Sequence, residues 1–303
     1  MIMTVTLNPA LDYVMRVREL NFDRVNRSYS EDLHFGGKGI NVSVMLARLG
    51  IQSTALGFIA GPTGDHLEAL LEKEGVRCDF VRLKSGSTRI NVKISSDRDL
   101  EINARGPETG EGDVEELLGK LSGIGAGDYL VLSGSVPENL PKDTYERILS
   151  RLNNTGVRFV VDAEGDLLLG TLKYKPFLVK PNIFELGDLF GVKPAGEAEA
   201  LVYAEKLKRL GAANVLVSMG ENGALLLDQG GGVTRIGAAE GEAKNTVGSG
   251  DSMIAGFLAG YIKTGDFKYA LRLGAACGSA TAFCDALAGA DEVKSVFYKL
   301  ETE

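Results

Sequence analysis

NTVGSGDSMIAG, residues 245–256, places two glycines around a serine, then a carboxylate, then the apolar start of a helix. The apolar spacing that follows predicts a helix over about 249–262. The first amides of any helix lack intrahelical partners and sit at the positive end of its dipole, so glycines at 248 and 250 expose a site suited to a phosphate. Asp251 would repel that anion. It is therefore either an N-cap that satisfies the amides itself or a general base beside an anion hole, the pairing that phosphoryl transfer to an alcohol requires.

The rest of the chain narrows the choice. At 303 residues it has ample length to bury a core. Its apolar runs are far too short to cross a bilayer, and no basic-then-apolar segment opens it, so a cytoplasmic location is expected with no membrane partner. A formal charge of −8 disfavours nucleic acid as a partner. With two histidines in total, His34 and His66, a His-based triad or zinc site has no support, and any metal is expected to be a hard cation held by oxygens. Cys78, Cys277 and Cys284 show no CxxC spacing; Cys277 and Cys284, seven apart, are expected on one helix face as core.

Short apolar runs at 129–132, 158–161, 177–179, 215–217 and 224–227 alternate with helical patterns such as 198–210, which stops at Gly211. Strands over 3–7 and 54–59 precede two further helical patterns, around Val42–Leu49 and Leu67–Leu71. This rhythm predicts a mostly parallel sheet covered by helices. Residues of about 12–35 and 86–105 break it: Ile90, Val92 and Ile94 alternate as in a strand, and no helix follows. They are expected to form a small β-flap with one apolar face that covers a cleft or another subunit.

Ligands of open α/β sheets bind beyond the carboxyl ends of the strands, and polar residues gather there: Asn8 and Asp12, Ser133 and Ser135, Asp162, Lys180 and Asn182, Ser218 and Gly220. A second glycine cluster, FGGKGIN (residues 35–41), opens another helix with Lys38 inside it and Asn41 in the first turn. Neither cluster is G-x-G-x-x-G, and no G-x-x-x-x-G-K-[ST] occurs, so dinucleotide binding and P-loop hydrolysis lose their usual support.

FGGKGIN and NTVGSGDS, in this order, resemble the two signatures of the ribokinase or PfkB family of carbohydrate kinases. TLNPALD (6–12), STRINVK (87–93), LSGSVP (132–137), VKPNIFEL (179–186) and VSMGENGA (217–224) fit as well, so the likeness spans nearly the whole chain. Within the family, TLNPALD, GGKGIN and TRINVK are most similar to the kinases of fructose 1-phosphate, and next to those of tagatose 6-phosphate. The resemblance implies a single α/β domain over 1–303: a ribokinase-like three-layer α/β/α body with a mostly parallel sheet and a small β-sheet lid.

Carried over by position, Asp251 takes the acceptor hydroxyl's proton while the amides of Gly248, Ser249 and Gly250 steady the moving phosphoryl group. Asp12, Gly37 and Asn41 hold sugar hydroxyls. Lys38 and Arg89 face the fixed phosphate, with Arg24 and Arg105 from the flap and Ser135 beside them. Lys180, Asn182, Ser218, Gly220 and Gly223 contact the nucleotide, with Cys277, Gly278 and Ser279 near the adenine. Glu185, paired with Asn182 in N-x-x-E, supports Mg²⁺ through water; as a first-turn acid it also suits a structural role. Ala163 and Glu164 depart from the family pattern and receive no function. Glu101 stands where some relatives place an arginine for a 6-phosphate, which favours a 1-phosphate.

The implied activity is ATP- and Mg²⁺-dependent phosphorylation of fructose 1-phosphate at its 6-hydroxyl, with tagatose-6-phosphate kinase as the alternative and a catalytically silent sugar-phosphate sensor as the alternative of a different class. The flap is expected to join two copies into a homodimer.

Overall fold

Runs buried on both faces of a sheet read as unbroken apolar segments, and in the computed structural model, which describes residues 1–96 and 98–300, such runs pair side by side. Numbered along the chain, β1 (Ile2–Thr6) lies between β4 (Thr54–Ile59) and β9 (Tyr129–Ser133). Beyond β9 follow β10 (Arg158–Asp162), β11 (Leu178–Val179) and β12 (Asn214–Ser218), all parallel. β13 (Ala224–Leu227) and β14 (Val233–Ile236) end that side antiparallel, while β5 (Arg77–Cys78) and β6 (Val81–Arg82) pair with β4 at the other.

The two-residue period of the strands divides the core. Met3, Val5, Leu130, Leu132, Phe159 and Val161 point to one face, where they meet α3 (Glu111–Lys120), α4 (Thr144–Leu152), α5 (Gly165–Thr171), α6 (Ile183–Phe190) and α7 (Glu197–Leu210). Ile2, Tyr129, Val131 and Val160 point to the other, against α1 (Lys38–Arg48), α8 (Ser249–Thr264), α9 (Phe267–Ala282) and α10 (Ala290–Phe297). α2 (Gly61–Lys73) joins α1 through Leu67, Leu71, Ile40 and Val44. The result is the expected α/β/α sandwich. Each fully buried side chain of the size of Phe257 or Leu132 contributes roughly 1.5–3 kcal/mol. α7 stops where the sequence predicts, with Gly211 at its C-cap. Cys277 is buried in α9, but Cys284 lies past that helix, half-buried, because the helix ends at Ala282.

A separate four-stranded sheet runs in the order β3 (Ser30–Gly36), β2 (Ala10–Arg16), β7 (Arg89–Ser95), β8 (Leu100–Ile102). β2 and β7 pair in parallel, so this sheet is assembled from two distant chain segments. Its two faces differ in chemistry. Asp12, Arg16, His34, Lys93 and Glu101 line a cavity of about 390 Å³ beside the main body. Leu33, Tyr13, Val92 and Ile102 align across the opposite face, with Leu33 and Ile102 exposed. Among the described residues, no helix is long and apolar enough to cross a membrane.

Candidate active site

The chain leaves β1 for β4 on one side, then returns to β9 on the other, so the strand order reverses at β1 and opens a crevice at the carboxyl ends. Asp162 ends β10 there, 2% exposed, with Lys180 Nζ 3.3 Å away and Lys38 Nζ 3.7 Å away. A buried carboxylate needs such partners. Two cations flank this one anion at the carboxyl ends of the strands. Lys38 also lies 3.5 Å from the exposed Glu164. Burial alone would lower the Lys38 pKa, but the carboxylates of Asp162, Asp251, Glu185 and Glu164 outweigh it and raise it, so the ammonium stays charged.

α8 approaches the same place. Gly248 is its N-cap at φ 79, a conformation that favours glycine, and it supplies no side-chain cap. Asp251 does not act as the cap: its Oδ2 accepts from Asn41 Nδ2 at 2.8 Å, which joins the first turns of α1 and α8. Among the described residues the amides of Gly248 and Gly250 meet no backbone acceptor, whereas that of Ser249 donates to Thr246 O at 3.2 Å. In the same turn the Ser249 hydroxyl is buried with no partner among the described residues. A Cβ on Gly250 would lie 3.0 Å from Lys180 Nζ, so the ammonium borders the exposed amides. Together these donors form a cradle for an anion.

Burial pushes the Asp251 carboxyl up to about 7, reinforced by the charge of Asp162 and opposed by the Asn41 hydrogen bond, Lys38 and Lys180. A carboxylate with that affinity for a proton can accept one from a hydroxyl near neutral pH.

Asp12 lies across the crevice on β2. Asn91 Nδ2 donates to its Oδ1 at 2.8 Å and Lys93 Nζ lies 3.1 Å from its Oδ2. Neither β7 residue was among the expected site residues. The signal was in the strand's alternation: Ile90, Val92 and Ile94 mark one face, so Asn91 and Lys93 must occupy the other. The position of Asp162 after Val161 marks it for the crevice, but its pairing with two lysines from other strand and helix ends has no local sequence signal. Arg89, half-buried, donates from Nε to Asn8 O at 3.1 Å and from Nη1 to Ala104 O at 3.4 Å, and among the described residues its other guanidinium donors have no partner. Burial lowers its pKa, and Asp12 opposes the shift.

The remaining expected residues are more dispersed. Arg105 is exposed beside Glu108 and Glu138, Arg24 lies on the exposed connection between β2 and β3, and Ser135 is exposed after β9. Asn182 caps α6 through Phe184 N and Glu185 N, and Glu185 Oε2 accepts the Asn182 amide at 2.8 Å, a reciprocal capping box. Ser218 ends β12 beside Asn182. Gly220 and Gly223 both have positive φ in the turn before β13. A Cβ on Gly278 would lie 3.1 Å from Ser249 O, so α9 packs closely on the start of α8, with Ser279 half-buried beside it.

A strand-order crevice with a buried carboxylate facing uncapped helix amides and two lysines defines a phosphotransferase of the α/β/α carbohydrate-kinase class. Residues 5–290 match the pfkB family of carbohydrate kinases, and the chain belongs to that family. It is 43% identical to the 1-phosphofructokinase of Bacillus subtilis over 95% of this chain and 94% of that protein. It is 39% identical to the D-tagatose-1-phosphate kinase of Bacillus licheniformis over the same shares, 95% and 94%. Among solved structures, phosphofructokinase-2 from Escherichia coli in complex with substrates and products superposes with a TM-score of 0.92 at 28% identity, covering 98% of each chain.

Proposed function

We propose that the protein transfers the γ-phosphoryl group of ATP to the 6-hydroxyl of fructose 1-phosphate, giving fructose 1,6-bisphosphate and ADP. The observation that carries this reading is the buried Asp251 carboxylate beside the free amides of Gly248 and Gly250, in a chain so similar to a 1-phosphofructokinase. The sugar O6 forms its bond to Pγ as the bond from Pγ to the β-bridging oxygen breaks. The O6 proton passes to Asp251, and ADP leaves with the bridging oxygen. In a loose transition state the proton moves late, so a carboxylate of modest basicity is sufficient.

The α8 amides and Lys180 hold the moving phosphoryl group, and Asn41 orients the base. Asp12, fixed by Asn91 and Lys93, receives the sugar hydroxyls, while Arg89 and Lys38 face the 1-phosphate. Ser218, Gly220 and Gly223 line the way to the nucleotide. Mg²⁺ fits the oxygen-rich donor set: Glu185 keeps Oε1 for a hydrated cation, and its charge reaches Lys38. When bound, the ion neutralises triphosphate charge. Among the described residues no three His, Cys, Asp or Glu side chains converge, so Glu185 would hold the ion together with water and the nucleotide's phosphates rather than in a cage of protein ligands.

The small sheet serves as a lid in this reading, and its outward apolar face joins two copies. A cytoplasmic setting suits the three free cysteines. The tagatose alternative shifts to the 1-phosphate, because the tagatose-acting relative is named for that ester. Both readings then share the fixed phosphate. Glu101 lines the cavity opposite Lys93 in the β7–β8 register.

The test is ADP release with Mg²⁺ and ATP against fructose 1-phosphate, tagatose 1-phosphate, fructose 6-phosphate and tagatose 6-phosphate. The highest kcat/KM is expected for fructose 1-phosphate. A preference for either 6-phosphate would reverse the assignment of the phosphate end, and tight binding without turnover would favour the silent sensor.

A further inference from the structure

The uncapped amides of α8 must be held in place by something other than a cap. A Cβ on Gly248 would lie 2.6 Å from Leu287 Cδ2 and 3.3 Å from Asn41 Nδ2, so this glycine is wedged between the loop after α9 and the first turn of α1. Leu287 packs on the Ile40 and Val44 cluster from its other side. Its backbone is clamped as well: Arg48 Nη1 donates to Leu287 O and, at 3.2 Å, to Ala288 O. The same guanidinium is itself fixed by a two-pronged pair with Glu74, Nε to Oε2 at 3.0 Å and Nη2 to Oε1 at 2.9 Å. Further bonds tie this loop to the reacting end, Ala288 N to Thr281 Oγ1 at 3.3 Å and Asn245 Nδ2 to Asp285 O at 3.0 Å.

We infer that Arg48 is a positioning residue for phosphoryl transfer: by gripping the Leu287 and Ala288 carbonyls it seats Leu287 against Gly248 and so fixes the direction of the α8 amides. α1 thus acts at both ends, with Asn41 holding the base and Arg48, in its last turn, holding the wall behind the anion cradle. Arginine suits this task because its planar fork can serve a carboxylate and two carbonyls at once, which a lysine cannot. The inference rests on the kinase reading above.

The amides act on charge that develops in the transition state, so their misplacement lowers turnover while leaving ground-state sugar binding largely alone. In Arg48→Met, kcat for fructose 1-phosphate is expected to fall about 10- to 100-fold, the effect of shifting reacting groups by up to an ångström, with KM held within about threefold. Arg48→Lys, able to reach one carbonyl, should recover part of the loss. Leu287→Ala should reproduce the kcat defect with Arg48 intact, and the double variant should be no worse than Arg48→Met alone, since both act through one contact. Wild-type kcat in Arg48→Met, a defect confined to KM, or additive losses in the double variant would overturn the inference. If Arg48→Met does not fold, Leu287→Ala decides alone: lowered kcat with KM held supports the inference, and unchanged kcat overturns it. Wild-type turnover and its loss in Asp251→Asn read the kinase assignment separately. A silent wild-type enzyme overturns both, whereas an active one with indifferent Arg48 and Leu287 variants overturns only the positioning role of Arg48.

Discussion

Asp251 carries opposing demands. Its burial makes it a competent base and also makes it costly to ionise in the folded state. Its folded pKa of about 7 stands above the ordinary 3.8, so between about pH 4 and pH 7 the folded chain holds a proton that the unfolded chain has released. Stability from this group is complete below pH 4, declines as pH rises, and levels off above 7. Asp251→Asn is therefore expected to melt higher than wild type at pH 8, with the difference vanishing near pH 4, while kcat falls about 10²- to 10⁴-fold, the span of general-base contributions. The wild-type kcat should rise with pH through about 7 and then plateau. A flat profile, or Asp251→Asn with wild-type turnover, would remove Asp251 from the role of base.

At the scale of the element, β7 shows how one strand serves two faces. Its odd and even positions divide into an apolar set, Ile90, Val92 and Ile94, and a polar set, Asn91 and Lys93, that grips Asp12. Lys93→Met should raise KM for fructose 1-phosphate about tenfold, on the order of the 1.5 kcal/mol or more that a charge-assisted bond supplies, and leave KM for ATP near its original value. A matching rise in both constants would mean that Lys93 supports the fold rather than the sugar. The strand itself was legible from its alternation. Its partner was not, because β2 and β7 are separated by more than 70 residues and pair in parallel, a contact that no local pattern encodes. α6 teaches the same limit from the other side: N-x-x-E was visible, yet the reciprocal bonds of Asn182 and Glu185 become definite only once the helix start is known.

For the whole molecule, the outward row of Leu33, Tyr13, Val92 and Ile102 shares its face of the small sheet with Ile90, and Leu33, Ile90 and Ile102 are exposed there, an apolar face open to a partner. Two copies meeting there are expected to sediment as a dimer, and Ile90→Glu with Ile102→Glu should shift the mass toward monomer. A monomeric wild type at working concentration would count against this arrangement.

By itself the sequence determined the layering, since apolar periods of two and 3.6 residues leave little choice about which faces are buried, and it marked the glycine turns that open α1 and α8. It also placed Lys38, Lys180 and Asp251 near strand or helix ends where a ligand would lie. Only the tertiary structure decided what these groups do to one another. The Lys38–Asp162–Lys180 cluster, the bond from Asn41 to Asp251 across 210 positions and the grip of Arg48 on the 287–288 backbone all join residues far apart in the chain. The physical reason is that charge and hydrogen bonding act over a few ångströms, and those distances exist only after the sheet has brought its strand ends into one row.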